Sequence, residues 1–419
     1  DQQALFKPIT KKTWTVTHAA RVPEMFREAF RTALTPRRGP VQLNLPRDVL
    51  SEQCDFGRFQ RPEENRAQNL PQADIQLIVE AAKILHGAAK PVIVVGGGIK
   101  NCGGHADVLA LAEKLNSPII LAPGHGDAIP HGHPLNSGQM GPRGNVVASR
   151  LAKEADVILA LGTRLGFNST FYSYDNINSD ADIIQVELEP TAIGRYFPIR
   201  LGIWADARAV AGQLTNALEK VEIREEVVAW THAYRDERAA YLSQRDSAAD
   251  DREIPIQPSG LYRVLRSVLP KNAIVTMDAG TLCLQATDAL EYHQPPGLFT
   301  PLDFGLVGFS FACGLGVKLA QPDRPVVSLM GDGGFGMTVS ELSTAVDHGI
   351  NTVTLVMNNQ CWGAEKAYQR DFFGGRYIGA NVSSPPYDRL AELYGAAGFK
   401  AERLSEVADA VQAALACDK

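Results

Sequence analysis

No stretch of this sequence approaches the ~18 consecutive apolar residues that a membrane-spanning helix requires. Its opening Asp1-Gln2-Gln3 does not read as a secretory leader. Cysteine is sparse and scattered: Cys54, Cys102, Cys283, Cys313, Cys361 and Cys417 form no CxxC pair. That speaks against a zinc site or a disulfide scaffold, and free thiols in a reducing, cytoplasmic compartment are expected. No basic cluster interleaved with aromatics is present and the net charge is -6, so neither nucleic acid nor a membrane surface is an expected partner. GxxxxGK[ST] is absent, which disfavours a P-loop NTPase. Gly96-Gly97-Gly98-Ile99-Lys100-Asn101 falls short of GxGxxG because Asn101 takes the last glycine's place, so a dinucleotide or flavin site is not expected there. His125, His131 and His133 lie in a loop with Pro130 and Pro134 and only Asp127 as a nearby carboxylate, and read as a polar loop, not a metal cluster.

What remains is an ordinary globular composition, 45% hydrophobic and 21% charged, in a chain of 419 residues, long enough for two or three domains. Residues 22–35 read as an amphipathic helix with Met25, Phe26, Ala29, Phe30, Ala33 and Leu34 on one stripe, followed by a strand at Val41–Leu45. Residues 51–72 have no periodicity and read as a linker. From 73 to 221, helical patterns alternate with the continuous apolar runs 91–95, 119–121, 157–162 and 183–187. Such strands imply a parallel sheet covered on both faces. Residues 222–253 read as a charged, solvated helix and a second linker, and 254–419 as a further α/β unit with strands at 273–277, 325–330 and 352–357. The expected fold class is therefore α/β, with two doubly wound parallel-sheet domains and an amino-terminal remnant of a third.

The chemistry concentrates at Gly331-Asp332-Gly333-Gly334-Phe335-Gly336, then a helix, then a strand that ends in Asn358-Asn359-Gln360-Cys361-Trp362-Gly363. Two parallel strands would each bring a polar side chain to their carboxyl ends, where α/β sheets bind ligands. Asp332 offers an anionic oxygen and Asn359 a neutral one, a donor set that suits Mg²⁺ better than zinc. Gly333 and Gly334 carry no side chain to hold a phosphate away from the backbone, and their amides are expected to open the next helix. A cation is needed because a diphosphate brings several negative charges together. Lys366, Arg370 and Arg376 are candidate contacts for a substrate anion, and Trp362 is a candidate pocket wall; solvated charges and plain core packing are the competing readings.

GDG followed about 27 residues later by NN resembles the signature of the thiamine-diphosphate enzymes. The resemblance implies thiamine diphosphate and Mg²⁺ as cofactors. Asp332 and Asn359 would be metal ligands through their side chains and Cys361 through its carbonyl. Gly39-Pro40-Val41 through Asp48-Val49 resembles the close of the pyrimidine-binding domain of acetolactate-synthase-like members, so residues 1–50 are expected to be that domain's tail. Asp278-Ala279-Gly280-Thr281 resembles their other diphosphate loop, which adds Gly280 and Thr281 to the cofactor contacts along with Asp332, Gly333, Gly334, Asn359 and Gly363. Gly305-Leu306-Val307-Gly308-Phe309 resembles the stretch that supports the aminopyrimidine, which adds Gly305 and places Val307 where a bulky apolar residue bends the cofactor.

Within that superfamily, Trp362–Lys366 with Gln369, Asp371, Phe372, Arg376 and Gly379 is most similar to the sulfoacetaldehyde acetyltransferases. Leu161–Leu165, Ser169-Thr170, Ile184–Val186, Pro190 and Ile193-Gly194 add to that similarity. It implies conversion of 2-sulfoacetaldehyde and phosphate to acetyl phosphate and sulfite, with a homodimer or homotetramer as the assembly. A carboligase or decarboxylase acting on pyruvate or another 2-oxo acid is the alternative within the family; a cofactor-binding but inactive structural or regulatory homologue is the alternative outside enzymes. The family's cofactor-activating glutamate is expected upstream of residue 1, so no catalytic acid/base is assigned among these residues and the 419-residue chain alone is expected to turn over little.

Overall fold

In the computed structural model, which describes residues 1–419, every sheet is parallel. The amino-terminal residues form a small unit: β1 (Thr13–Thr15) pairs with β2 (Gln42–Asn44), and the helix Val22–Leu34 packs on them. Its core is Trp14, Val16, Ala19, Met25, Ala29 and Val49. The helix lies where its apolar period put it, but the stripe is only half used. Met25 and Ala29 are buried, whereas Phe26, Phe30 and Leu34 are 41%, 63% and 42% exposed. Between Glu52 and Asp74 the chain has one short 3-10 turn, Pro62–Asn65.

The central sheet runs β5-β4-β3-β6-β7-β8: β3 (Pro91–Val95), β4 (Ile119–Leu121), β5 (Asn136–Gln139), β6 (Val157–Leu161), β7 (Asp182–Glu187) and β8 (Leu201–Trp204). β3, β4 and β6 are buried at every residue, as helices on both faces require. Helices Ile75–Gly87, His105–Leu115 and Ala207–Ala217 cover one face around Ile78, Leu111 and Leu214; Val146–Glu154 covers the other around Val147 and Leu151. β5 and β8 escaped the periodicity reading. β5 is Asn-Ser-Gly-Gln, and its polar side chains are satisfied by distant partners: Gln139 Nε2 donates to Thr287 Oγ1 at 3.2 Å.

The glycines of Gly96-Gly97-Gly98 serve this packing. A Cβ at residue 98 would stand 2.5 Å from Gly162 Cα, and one at residue 96 would stand 2.6 Å from the Gly162 oxygen. The loops after β3 and β6 touch backbone to backbone.

Residues 222–253 contain the expected helix, exposed along most of its length but with one buried stripe. The helix Glu225–Ser247 buries Val227, Thr231, Tyr234 and Arg238, and Tyr241 Oη donates to Asp288 at 3.2 Å. The stretch after it is not loose: the Asp250 amide donates to Ser259 Oγ at 3.0 Å.

The last sheet runs β10-β9-β11-β12: β9 (Ile274–Met277), β10 (Leu298–Phe299), β11 (Val326–Gly331) and β12 (Val353–Met357). Helices Pro258–Val268 and Leu404–Ala416 pack on one side and Phe309–Ala320 on the other. Buried hydroxyls of Thr276, Ser310 and Ser328 link β9, this last helix and β11, with Thr276 Oγ1 and Ser328 Oγ 2.9 Å apart. Gly314 makes room for them, since a Cβ there would lie 2.4 Å from Ser328 Oγ.

Candidate active site

β9, β11 and β12 run side by side, and their carboxyl ends emerge together. Gly331 pairs with Met357, so Asp332 follows directly from one strand and Asn358-Asn359 from its neighbour. Asp332 is 1% exposed. Its Oδ2 accepts from the Ser384 hydroxyl and its carbonyl from Tyr387 Oη at 2.9 Å, whereas Oδ1 has no hydrogen-bond partner. A buried anionic oxygen left bare is costly, and a cation at that oxygen would remove the cost. The free oxygen fits a metal ligand.

Asn359 leaves β12 into a turn in which Gln360 has φ +53°. Its Oδ1 accepts from the Cys361 amide at 3.2 Å, which leaves a second lone pair for a cation. The Cys361 carbonyl accepts no backbone hydrogen bond. Residue 361 instead forms an antiparallel bridge with Asn381, flanked by Trp362 N–H to the Ala380 oxygen (2.8 Å) and Val382 N–H to the Gln360 oxygen (2.9 Å).

The glycines form a cradle. The helix after β11 is Asp332–Thr338, so it starts at Asp332, one residue earlier than expected, and Gly333 and Gly334 sit in its first turn, where amides lack intrahelical acceptors. A Cβ at residue 333 would lie 2.7 Å from the Trp362 ring, and one at residue 334 would lie 2.1 Å from Asp278 Oδ2 and 3.4 Å from Val307 Cγ1. Trp362 thus stands as a wall against the loop. Asp278, at the end of β9, is 3% exposed and accepts from the amides of Gly308 (3.0 Å) and Phe309 (2.8 Å), capping the helix Phe309–Ala320. Burial raises its pKa against the lowering effect of those amides. Through Asp278 the loops at 278–281, 305–309 and 331–334 are packed as one body.

The other sequence candidates fall around this body. Gly280 has φ +117° and caps the helix that Thr281 opens; a side chain at 280 would point into open space. Gly305 (φ +73°) is exposed and equally open. Gly363 lies beneath Asn359, whose Nδ2 would be 3.4 Å from a Cβ there. Lys366 donates to Asn381 Oδ1 at 3.0 Å and lies 5.7 Å from the Tyr377 ring centre. Arg370 is turned onto its neighbour Asp371 at 2.6 and 3.0 Å, and Arg376 donates to the Phe373 oxygen at 3.1 Å; both are exposed. Of the three cations, Lys366 is the one tied to the loop that carries Cys361.

Sequence reading missed the return of 380–387, and with it Ser384 and Tyr387, because nothing in Ser383-Ser384-Pro385-Pro386-Tyr387 signals a partner some fifty residues away. Asp278 was read as part of a loop, but its role as a hub was not.

In the histidine loop, as elsewhere in the chain, no three His, Cys, Asp or Glu side chains converge in a way that could hold an ion. His131 Nε2 lies 3.3 Å from Glu291 and His133 Nε2 3.1 Å from Glu113. His125 is enclosed, with Nδ1 unpartnered. All six cysteines are free, and no helix is long and apolar enough to cross a membrane.

Residues 78–214 match the family model described as "Thiamine pyrophosphate enzyme, central domain" and residues 278–419 the one described as "Thiamine pyrophosphate enzyme, C-terminal TPP binding domain". The chain is 31% identical to the sulfoacetaldehyde acetyltransferase of Castellaniella defragrans, over 99% of this chain and 72% of that protein. It is 32% identical to the probable sulfoacetaldehyde acetyltransferase of Rhizobium meliloti, over 99% and 73%. A probable acetolactate synthase large subunit of Methanococcus aeolicus is 28% identical, over 100% of this chain and 72% of that protein.

Proposed function

The chain belongs to the thiamine pyrophosphate enzymes, and from that premise we propose that it converts 2-sulfoacetaldehyde and phosphate to acetyl phosphate and sulfite. The observation that carries this reading is the 31% identity, across nearly the whole chain, to a protein named sulfoacetaldehyde acetyltransferase.

In this reading Asp332 Oδ1, the Asn359 side-chain oxygen and the Cys361 carbonyl would hold Mg²⁺, which would offset the charge of the cofactor's diphosphate. Support comes from the unpartnered Asp332 oxygen, the unengaged Cys361 carbonyl and two adjacent strand ends. Gly333 and Gly334, whose missing side chains admit Trp362 and Asp278, would offer first-turn amides to the phosphates, Gly280, Thr281 and Gly363 would be further cofactor contacts, and Gly305 and Val307 would support the rest of the cofactor. When bound, thiamine diphosphate supplies a nucleophilic ring carbon and an electron sink. The chain's own residues bind and orient two anions, sulfonate and phosphate. Lys366 and Arg376 are assigned to them; Arg370 would first have to leave Asp371. Trp362, packed against Gly333, would wall the loop that holds the diphosphate. Residues 1–50, 73–221 and 254–419 are read as three domains, joined at 51–72 and 222–253, and the working assembly as a homodimer or homotetramer.

The test is a product assay. Full-length protein with thiamine diphosphate and Mg²⁺ is offered sulfoacetaldehyde with phosphate, or pyruvate. Acetyl phosphate and sulfite in equal amounts support the proposal. Acetolactate from pyruvate, without sulfite release from sulfoacetaldehyde, transfers the chain to the carboligase reading that the acetolactate synthase relative favours.

A further inference from the structure

A carboxylate has two oxygens, and a half-turn about its last side-chain bond exchanges them. A site that must present one oxygen to a cation gains if a hydrogen bond breaks that equivalence. Asp332 is in this position: its side chain is buried and just one oxygen has a donor, the hydroxyl of Ser384.

The donor is itself held firmly. The segment bearing it is stitched to the turn after β12 by the Trp362–Ala380 and Val382–Gln360 backbone bonds and by Lys366 on Asn381. Three residues past Ser384, Tyr387 donates to the Asp332 carbonyl, and its ring packs edge-on to Phe335 with centroids 5.0 Å apart. One excursion of chain, 380–387, therefore grips Asp332 at the end of β11 and the 360–362 turn at the end of β12.

From this geometry we infer that Ser384 is a positioning residue of the cation site: by holding Asp332 Oδ2 it leaves Oδ1 as the oxygen offered to the metal. The inference rests on the Mg²⁺–diphosphate reading of the site. Partners that orient ligating carboxylates typically change metal affinity 10- to 100-fold when removed.

The experiment titrates Mg²⁺ into the full chain at fixed thiamine diphosphate, by calorimetry, for wild type, S384A, S384T and D332A. S384A is expected to raise the Mg²⁺ midpoint about 10-fold or more. At saturating Mg²⁺ its thiamine diphosphate midpoint returns to the wild-type value, and S384T, which keeps the hydroxyl, restores the Mg²⁺ midpoint. A packing role would instead weaken both midpoints, and saturating Mg²⁺ would not recover the second. Mg²⁺-dependent binding that S384A leaves unchanged, or a joint loss that Mg²⁺ does not recover, overturns the assignment to Ser384 alone. Absence of Mg²⁺ dependence in wild type overturns the cation reading and this inference together. Should S384A fail to fold, S384C, close in volume but a weak donor, takes its place in the same titration with the same expectations.

Discussion

At the scale of single residues, Asp332 and His125 are polar groups enclosed where folding alone would not choose them. D332N keeps the shape of the side chain and removes the charge, so it should lose Mg²⁺-dependent thiamine diphosphate binding. Its cofactor-free melting temperature should equal or exceed that of wild type, since a buried charge with one bare oxygen opposes folding. Thermal scans with and without cofactor check both halves. For His125, burial, reinforced by Lys100, lowers the pKa to about 4, against opposing effects of Asp127 and Asp303. A histidine whose folded pKa lies below its unfolded value near 6.5 contributes stability above that value and loses it as pH falls. Stability should therefore drop between about pH 6.5 and 4, by on the order of 3 kcal/mol. Urea midpoints across that range should fall for wild type, with a shallower slope for H125N. Asp332 was legible as a site candidate from its place after an apolar strand and before two glycines. Ser384 was not, because its contact depends on where a distant loop lands.

At the scale of elements, the strands buried on both faces announced themselves and the others did not. Val92, Ile93, Val94 and Val95 are all fully covered, so their run of apolar residues could be read directly. β5 is just as buried but carries Asn, Ser, Gly and Gln, and what holds it is a set of hydrogen bonds reaching Thr287 and Asp288. The helix Val22–Leu34 shows the converse: its period was correct, but Phe30 on that stripe is exposed. In the glycine run after β3, Gly96 and Gly98 admit the Gly162 loop and Gly97 admits His125. G98A would press a methyl group against that backbone and should cost about 1–3 kcal/mol, read as a lower urea midpoint with an unchanged slope.

At the scale of the whole molecule, the central and carboxyl-terminal sheets are joined through a buried carboxylate. Asp127, 0% exposed, accepts from the amides of Gly297 (2.9 Å) and Leu298 (3.0 Å) and pairs with Lys100 at 2.7 Å, while Lys100 also donates to the Leu298 oxygen. D127N removes the carboxylate partner of the half-buried Lys100 and sets an NH₂ group towards its ammonium, and should destabilise the fold. Denaturant unfolding followed by far-ultraviolet circular dichroism should show the earlier midpoint. No periodicity could reveal this joint, since its members lie some 170 residues apart. It also bears on how the gene can be divided. β10 is the edge of the sheet that carries the candidate-site loops, and the acceptor for the amides at its start comes from the loop between β4 and β5. Expressing residues 254–419 as a free-standing half would bare that short edge, so poor yield or precipitation is the outcome to anticipate unless residues 91–204 are co-produced.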